Sequence, residues 1–130
     1  MKKILLDTNA YSNFMRGHEE VRAVLGSADV VYMSVFVLGE LFEGFKNGGK
    51  EKANRAQLGE FLKRPTVRIV TATQETAEIF GRIKYRLRKE GSPIPINDVW
   101  IASHALESGA YLVTFDAHFS RVPGVLHWRE

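Results

Sequence analysis

Four carboxylates stand where this chain could do chemistry: Asp7, Glu40, Asp98 and Asp116. Each lies at or just beyond a place where an apolar run gives way to polar residues. Brought together, such acids would repel one another and hold their protons above the usual carboxylate range unless a cation neutralised them. Hard oxygen donors suit Mg²⁺ or Mn²⁺. A metal held this way can activate a water molecule and stabilise the leaving oxygen of a phosphodiester, so hydrolysis of a nucleic-acid backbone is the chemistry such a cluster would support. The histidines, His18, His104, His118 and His127, show no paired metal-ligand spacing and read as surface or structural residues.

The elements that must position these acids follow from hydrophobic patterning. Ile4, Leu5 and Leu6 run without a break into Asp7, Thr8 and Asn9, which suits a strand buried on both faces and ending in polar groups. Two readings of Asp7 fit that stretch alone: a turn aspartate closing the strand, or a site residue at the carboxyl edge where open α/β sheets bind ligands. Tyr11 to Met15 and His18 to Leu25 read as short helices separated by Gly17. Val30 to Met33 is a second strand, and Ser34 caps a helix from Val35 to Phe45. On that helix Val37, Leu38, Leu41, Phe42 and Phe45 form the buried stripe, with Glu40 just outside it, still near the sheet's edge. A solvated rim glutamate is the competing reading for Glu40, and for Glu43.

Lys50 to Lys63 reads as a further helix, and Val67 to Val70 as a third strand. Thr73 caps a long helix to about Glu90, with Ala77, Phe80, Ile83 and Leu87 inward. Arg82, Arg86 and Lys89 share another face of it, where they form either a solvated stripe or a contact for RNA phosphates or an acidic partner. After the stiff loop Gly91 to Pro95 comes a helix with Asn97 available as its cap. At about 100° per residue, Asp98 falls inside that helix's apolar face, flanked by Ile101 and Ala105 on one side and by Val99, Ala102 and Leu106 on the other. The helix dipole would stabilise a first-turn aspartate by about 0.3–1 kcal/mol, but it does not require the core-facing side. A bound cation beside Asp98 explains both its position and its orientation.

Tyr111 to Thr114 forms another buried strand, again running into an acid, Asp116. Parallel strands would bring the two threonine–aspartate endings to one edge. His118 and Phe119 belong to a short turn, and Val125 to Trp128 reads as a last edge strand. Strands alternating with helices imply an α/β fold, a three-layer α/β/α sandwich around a central, mostly parallel sheet of about five strands. With 130 residues and 45% apolar side chains, one domain spanning residues 1–130 is expected. The absence of cysteine excludes disulfides and thiolate metal sites. The opening apolar run ends at Asp7, too soon for a signal peptide or a membrane span, so a cytoplasmic protein is expected. A net charge of +3 permits a polyanionic partner without requiring one.

Leu6-Asp7-Thr8-Asn9, then Ser34 with Gly39-Glu40-Leu41, then Asn97-Asp98 leading to Ile101, Ala102 and Ala105, then Val113-Thr114-Phe115-Asp116 with Phe119 together resemble a PIN domain. More narrowly, they resemble the VapC-type toxins of type II toxin–antitoxin systems, across nearly the whole chain. The resemblance implies a Mg²⁺- or Mn²⁺-dependent endoribonuclease that inhibits translation by cleaving tRNA or ribosomal RNA. It also implies a homodimer neutralised by a small cognate VapB-type antitoxin. Asp7, Glu40 and Asp98 match the family's three principal acids, and Asp116 matches a fourth position held by aspartate or asparagine in relatives. Thr8 and Thr114 match hydroxyls that line the site, and Asn9 either joins them or holds the following loop. Glu43 and Phe115 depart from the usual residues at their positions without removing a ligand.

Two rivals are weighed against this. A phosphatase of the haloacid dehalogenase type also places an aspartate after its first strand, but it requires a second aspartate where this chain has Asn9. A catalytically silent PIN-fold scaffold or RNA-binding module is the other, and retention of all four acids speaks against it.

Overall fold

The computed structural model describes residues 2–128. Its strands are β1 (Lys3–Leu6), β2 (Val30–Ser34), β3 (Val67–Val70), β4 (Tyr111–Val113) and β5 (Leu126–His127). Its helices are α1 (Thr8–Met15), α2 (Glu19–Ser27), α3 (Val35–Asn47), α4 (Glu51–Leu62), α5 (Gln74–Lys89) and α6 (Ile96–Ser108), with a 3₁₀ turn over Ala117–Arg121. The five strands form one sheet in the order β3-β2-β1-β4-β5, and every pairing is parallel. The expected mostly parallel sheet is thus wholly parallel.

That order fixes where a site can be. The chain steps from β1 to β2 to β3 in one direction, then crosses back to place β4 on the other side of β1. Right-handed crossovers put α1 to α4 on one face and α5 and α6 on the other, giving the three layers expected. The reversal leaves a crevice beyond the carboxyl ends of β1 and β4, the switch point at which such sheets bind ligands. Ile4, Leu5 and Leu6 are completely buried, as are Val31, Met33, Leu112 and Val113 on the neighbouring strands, because helices cover both faces.

Several local expectations are corrected. Thr8 and Asn9 belong to α1 rather than to the strand, since Asp7 breaks the sheet and caps the helix by accepting from the Ala10 amide at 2.8 Å. Helix α6 starts at Ile96 directly after Pro95, so Asn97 lies within its first turn and the helix has no side-chain cap. Proline at that entry supplies extended backbone without needing a capping side chain. Ala77 is exposed and Thr76 is buried in its place, because the Thr76 hydroxyl donates to Glu107 Oε1 at 2.6 Å while also serving the Thr73 capping box. Helix α6 is covered on more than its aliphatic side: Ser103 and His104, opposite Asp98 on the wheel, are also buried, Ser103 donating to Val99 O within the helix and His104 meeting the Ser34 cap of α3 and the β3–α5 connection. No helix among the described residues is long and apolar enough to cross a membrane.

Candidate active site

Register brings the first two groups together. Leu6 pairs with Val113, so the residues that follow, Asp7 and Thr114, emerge side by side. The Asp7 amide donates to Val113 O at 3.2 Å, and the Thr114 hydroxyl donates to Asp7 Oδ2. Thr114 Oγ1 in turn accepts from the Asp116 amide at 2.9 Å, so the two strand-end aspartates share one threonine. This is the physical content of the repeated strand–threonine–aspartate pattern.

The other acids arrive from helices. Ser34, at the end of β2, caps α3 by accepting from the Phe36 amide at 3.1 Å, and the second turn of α3 then carries Glu40 to the same edge. Glu40 accepts a hydrogen bond from the Thr8 hydroxyl at the start of α1. Asp98 comes from the first turn of α6 with 15% of its side chain exposed. Asp116 caps the 3₁₀ turn, accepting from the His118 amide at 2.9 Å. Asp7, Thr8, Glu40, Asp98 and Asp116 line a cleft of about 310 Å³ together with Asn9, Glu43, Pro95 and Ile101; Thr114, bonded to Asp7, is not part of its lining.

His118, read from the sequence as a surface or structural residue, also lines this cleft. Its Nδ1 lies 3.1 Å from Asp98 Oδ2 and 3.1 Å from Asp116 Oδ1. The available signal was its place two residues after Asp116, since a tight turn there folds the ring back over the acid that caps it. Arg82 and Arg86 are not brought to the cleft. They line a separate groove with Ile79, Leu106 and Pro123, and Arg86 Nε donates to Glu90 at 3.1 Å.

The electrostatics reflect the crowding of acids. Burial, aided by the nearby charges of Asp116 and Asp98, pushes the Asp7 carboxyl up to about 6, against the lowering effect of the Thr114 and Ala10 hydrogen bonds. Burial also raises Asp98; the His118 hydrogen bond opposes this, while Asp116 and Glu40 add to it. Asp98, Asp116 and His118 each offer a ligand atom, all within 4.8 Å of one another. Oxygen donors with one imidazole, facing charges that need neutralising, fit a divalent cation. The arrangement can therefore hold a metal at the edge of a cleft open to a polyanion.

Comparison with known proteins identifies the family. Residues 4–125 match the PIN domain model. Ribonuclease VapC2 of Haemophilus influenzae is 34% identical over 116 residues, covering 88% of this chain and 86% of that protein. Ribonuclease VapC2 of Rickettsia felis is 29% identical over 127 residues, covering 94% and 93%. Among solved structures, VapBC2 from Rickettsia felis bound to a promoter DNA fragment aligns with a TM-score of 0.85 at 27% identity, over 98% of this chain and 99% of that one. DNA-bound VapBC from Salmonella typhimurium aligns equally well, with a TM-score of 0.85 at 26% identity over 98% of each chain. The chain belongs to the PIN domain family, within its VapC ribonuclease branch.

Proposed function

We propose that this single-domain protein is a metal-dependent endoribonuclease, the toxin of a VapBC-type pair, and that Asp7, Glu40, Asp98 and Asp116 carry its chemistry. The observation that supports this most is the convergence of four acids from separate elements in one cleft at the sheet's switch point. Ribonuclease is the activity named for the relatives, and one of them, from Salmonella typhimurium, is named a tRNA(fMet)-specific endonuclease. Structured RNA such as tRNA or ribosomal RNA is the substrate class, and translation the process it would stop.

The cofactor is Mg²⁺ or Mn²⁺, held by Asp7, Glu40, Asp98 and Asp116. When bound, the ion activates a water molecule and neutralises charge on the phosphodiester. The chain's own residues prepare that site. Thr114 fixes one oxygen of Asp7 while the Ala10 amide fixes the other, so this carboxylate presents a set orientation. Thr8 does the same for Glu40. His118 bridges Asp98 and Asp116, holding the two acids near each other before any cation arrives. Asn9 and Glu43 stand at the mouth, where they meet the RNA or the antitoxin. Arg82 and Arg86 contribute distant, salt-sensitive contacts to RNA or antitoxin.

A homodimeric toxin and a cytoplasmic location complete the reading, with a cognate VapB-type antitoxin that the VapBC complexes among the structural neighbours support. The test is cleavage of tRNA and of unrelated RNA by purified protein, with Mg²⁺ or Mn²⁺, with chelator, and by Asp98→Asn. Metal-dependent cutting that Asp98→Asn abolishes is expected. Cutting that persists in chelator or in the variant overturns the mechanism, and no cutting of any RNA returns the silent scaffold.

A further inference from the structure

Among the side chains that line the cleft, His118 alone carries a nitrogen lone pair. Its Nδ1 stands 3.1 Å from Asp98 Oδ2 and 3.1 Å from Asp116 Oδ1. One N–H can be directed along only one of those lines, and Asp98 is the partner with hydrogen-bond geometry. Asp116 Oδ1 instead accepts from the His118 backbone amide at 2.9 Å, so the turn that presents the acid also folds the ring beside it. A structural histidine looks different in this chain. Both ring nitrogens of His104 meet uncharged partners, Ser34 Oγ at 2.7 Å and Thr71 O at 3.1 Å, whereas His118 turns one nitrogen toward two carboxylates.

Those separations also suit a shared ion. Neighbouring ligands of an octahedral ion, each about 2.1 Å from it, stand about 3 Å apart. Ligand atoms of Asp98, Asp116 and His118 all lie within 4.8 Å of one another, close enough for one ion to meet all three. We propose that His118 Nδ1 is a ligand of the ion in the cleft, and that this nitrogen makes the site take Mn²⁺ in preference to Mg²⁺. The inference rests on the metal-dependent reading above and narrows its choice of ion. Four carboxylates offer only hard oxygen, which suits both ions and sets little preference between them. Mg²⁺ gives up its waters reluctantly and is held through oxygen, so an imidazole corner adds little to its binding. Mn²⁺ opens the transition series that binds mixed nitrogen and oxygen sites, and the imidazole adds to its binding. A neutral ring with its proton on Nε2 has the Nδ1 lone pair free for this.

The probe is Mn²⁺ itself, bound to the full chain without RNA and read by pulsed electron paramagnetic resonance. Its spin echo is expected to carry the modulation of a directly bound imidazole nitrogen, and labelling histidine with the heavy nitrogen isotope should change that pattern. This arm needs no variant, and His118 is the histidine that lines the cleft. His118→Asn keeps an N–H donor for Asp98 but offers the ion only oxygen, so the modulation should disappear. Its Mn²⁺ affinity should fall about tenfold while Mg²⁺ affinity, measured by competition, stays within about twofold. Mn²⁺ that binds without nitrogen modulation overturns the inference, leaving His118 as a hydrogen-bond bridge and the metal-dependent reading intact. Equal loss of both ions in His118→Asn also overturns it, because a ring that only positions the acids would weaken both alike. A wild type that binds no Mn²⁺ overturns the inference and the metal-dependent reading together. Nitrogen-bound Mn²⁺ with the tenfold preference, in a protein that cuts no RNA, would keep the inference and discard the nuclease reading.

Discussion

Two polar clusters lie along the same carboxyl edge of the sheet, and they behave in opposite ways. At the ends of β2 and β3, His104 Nδ1 lies 2.7 Å from Ser34 Oγ and its Nε2 lies 3.1 Å from Thr71 O. Thr71 O can only accept, so Nε2 carries the proton and the Ser34 hydroxyl donates to Nδ1. Ser34 Oγ still accepts from the Phe36 amide, so every donor in this cluster meets an acceptor with a neutral ring. At the ends of β1 and β4 the balance fails: Asp7, Glu40, Asp98 and Asp116 bring more acceptors than Thr8, Thr114, Ala10 and His118 can satisfy. Buried polar groups that balance their donors hold helices in place. Those with surplus acceptors call for a ligand that brings positive charge.

The pH behaviour of the two clusters should separate them. Burial lowers the His104 pKa, against the opposing effects of Thr71 and Glu107. The unfolded chain then binds the proton more readily, so the stability from this cluster is present above the ordinary histidine value and is lost as pH falls below about 6.5. Asp7 has the opposite slope. With its folded pKa raised to about 6, the metal-free protein binds the proton more readily when folded, and stability from this group is lost as pH rises from about 4 to 6.

The largest expected effect is on turnover. Asp98→Asn should lower RNA cleavage by about a thousandfold and remove any rise in unfolding temperature that Mn²⁺ gives the wild type. Single-turnover cleavage and thermal melts would check this, and a retained Mn²⁺ stabilisation would show that the ion sits elsewhere. Next is a stability gain. Asp7→Asn, still a competent helix cap, should stabilise the chelator-treated protein by up to about 3 kcal/mol at neutral pH while abolishing cleavage. Denaturant melts at pH 4 and pH 7 would reveal it, because the gain should vanish at the lower pH.

His104→Leu is the matching break in the other cluster. It leaves the Ser34 hydroxyl and the Thr71 carbonyl without their partner and should cost about 2 kcal/mol of stability. The Mn²⁺-induced shift in melting temperature should survive, and its loss would mean that the two clusters are not separate. The smallest effect is expected outside both. Arg82→Ala with Arg86→Ala should weaken RNA binding by about threefold, mainly at low salt, since the groove that they line is not the cleft. Affinity measured across a salt series would sharpen or remove their assigned role.

The alternating strand and helix patterns, the Ser34 cap and the endings at Asp7 and Asp116 were legible in the sequence because they depend on local periodicity and on apolar runs. Buried parallel strands announce themselves as unbroken aliphatic stretches, and two such stretches ending in threonine and aspartate already implied a shared edge. Asp98 was legible too, but for an incomplete reason. Its wheel set an apolar face against a polar one, whereas the folded helix buries Ser103 and His104 on that second side as well. A helix enclosed on several sides gives a weak periodic signal, and only the surrounding layers show which polar groups are satisfied within them.

His118 marks the limit most clearly. Its position two residues after Asp116 is a fact of sequence, but its closeness to Asp98 depends on a 3₁₀ turn meeting the first turn of α6 across a separation of 20 residues. The same holds for Glu40 and Thr8, from two helices 32 residues apart. Sequence by itself determined the elements, the acids and the edge at which they end, because those follow from local burial and spacing. The tertiary structure alone decided which side chains face one another, because the order β3-β2-β1-β4-β5 and the register between β1 and β4 are properties of long-range pairing.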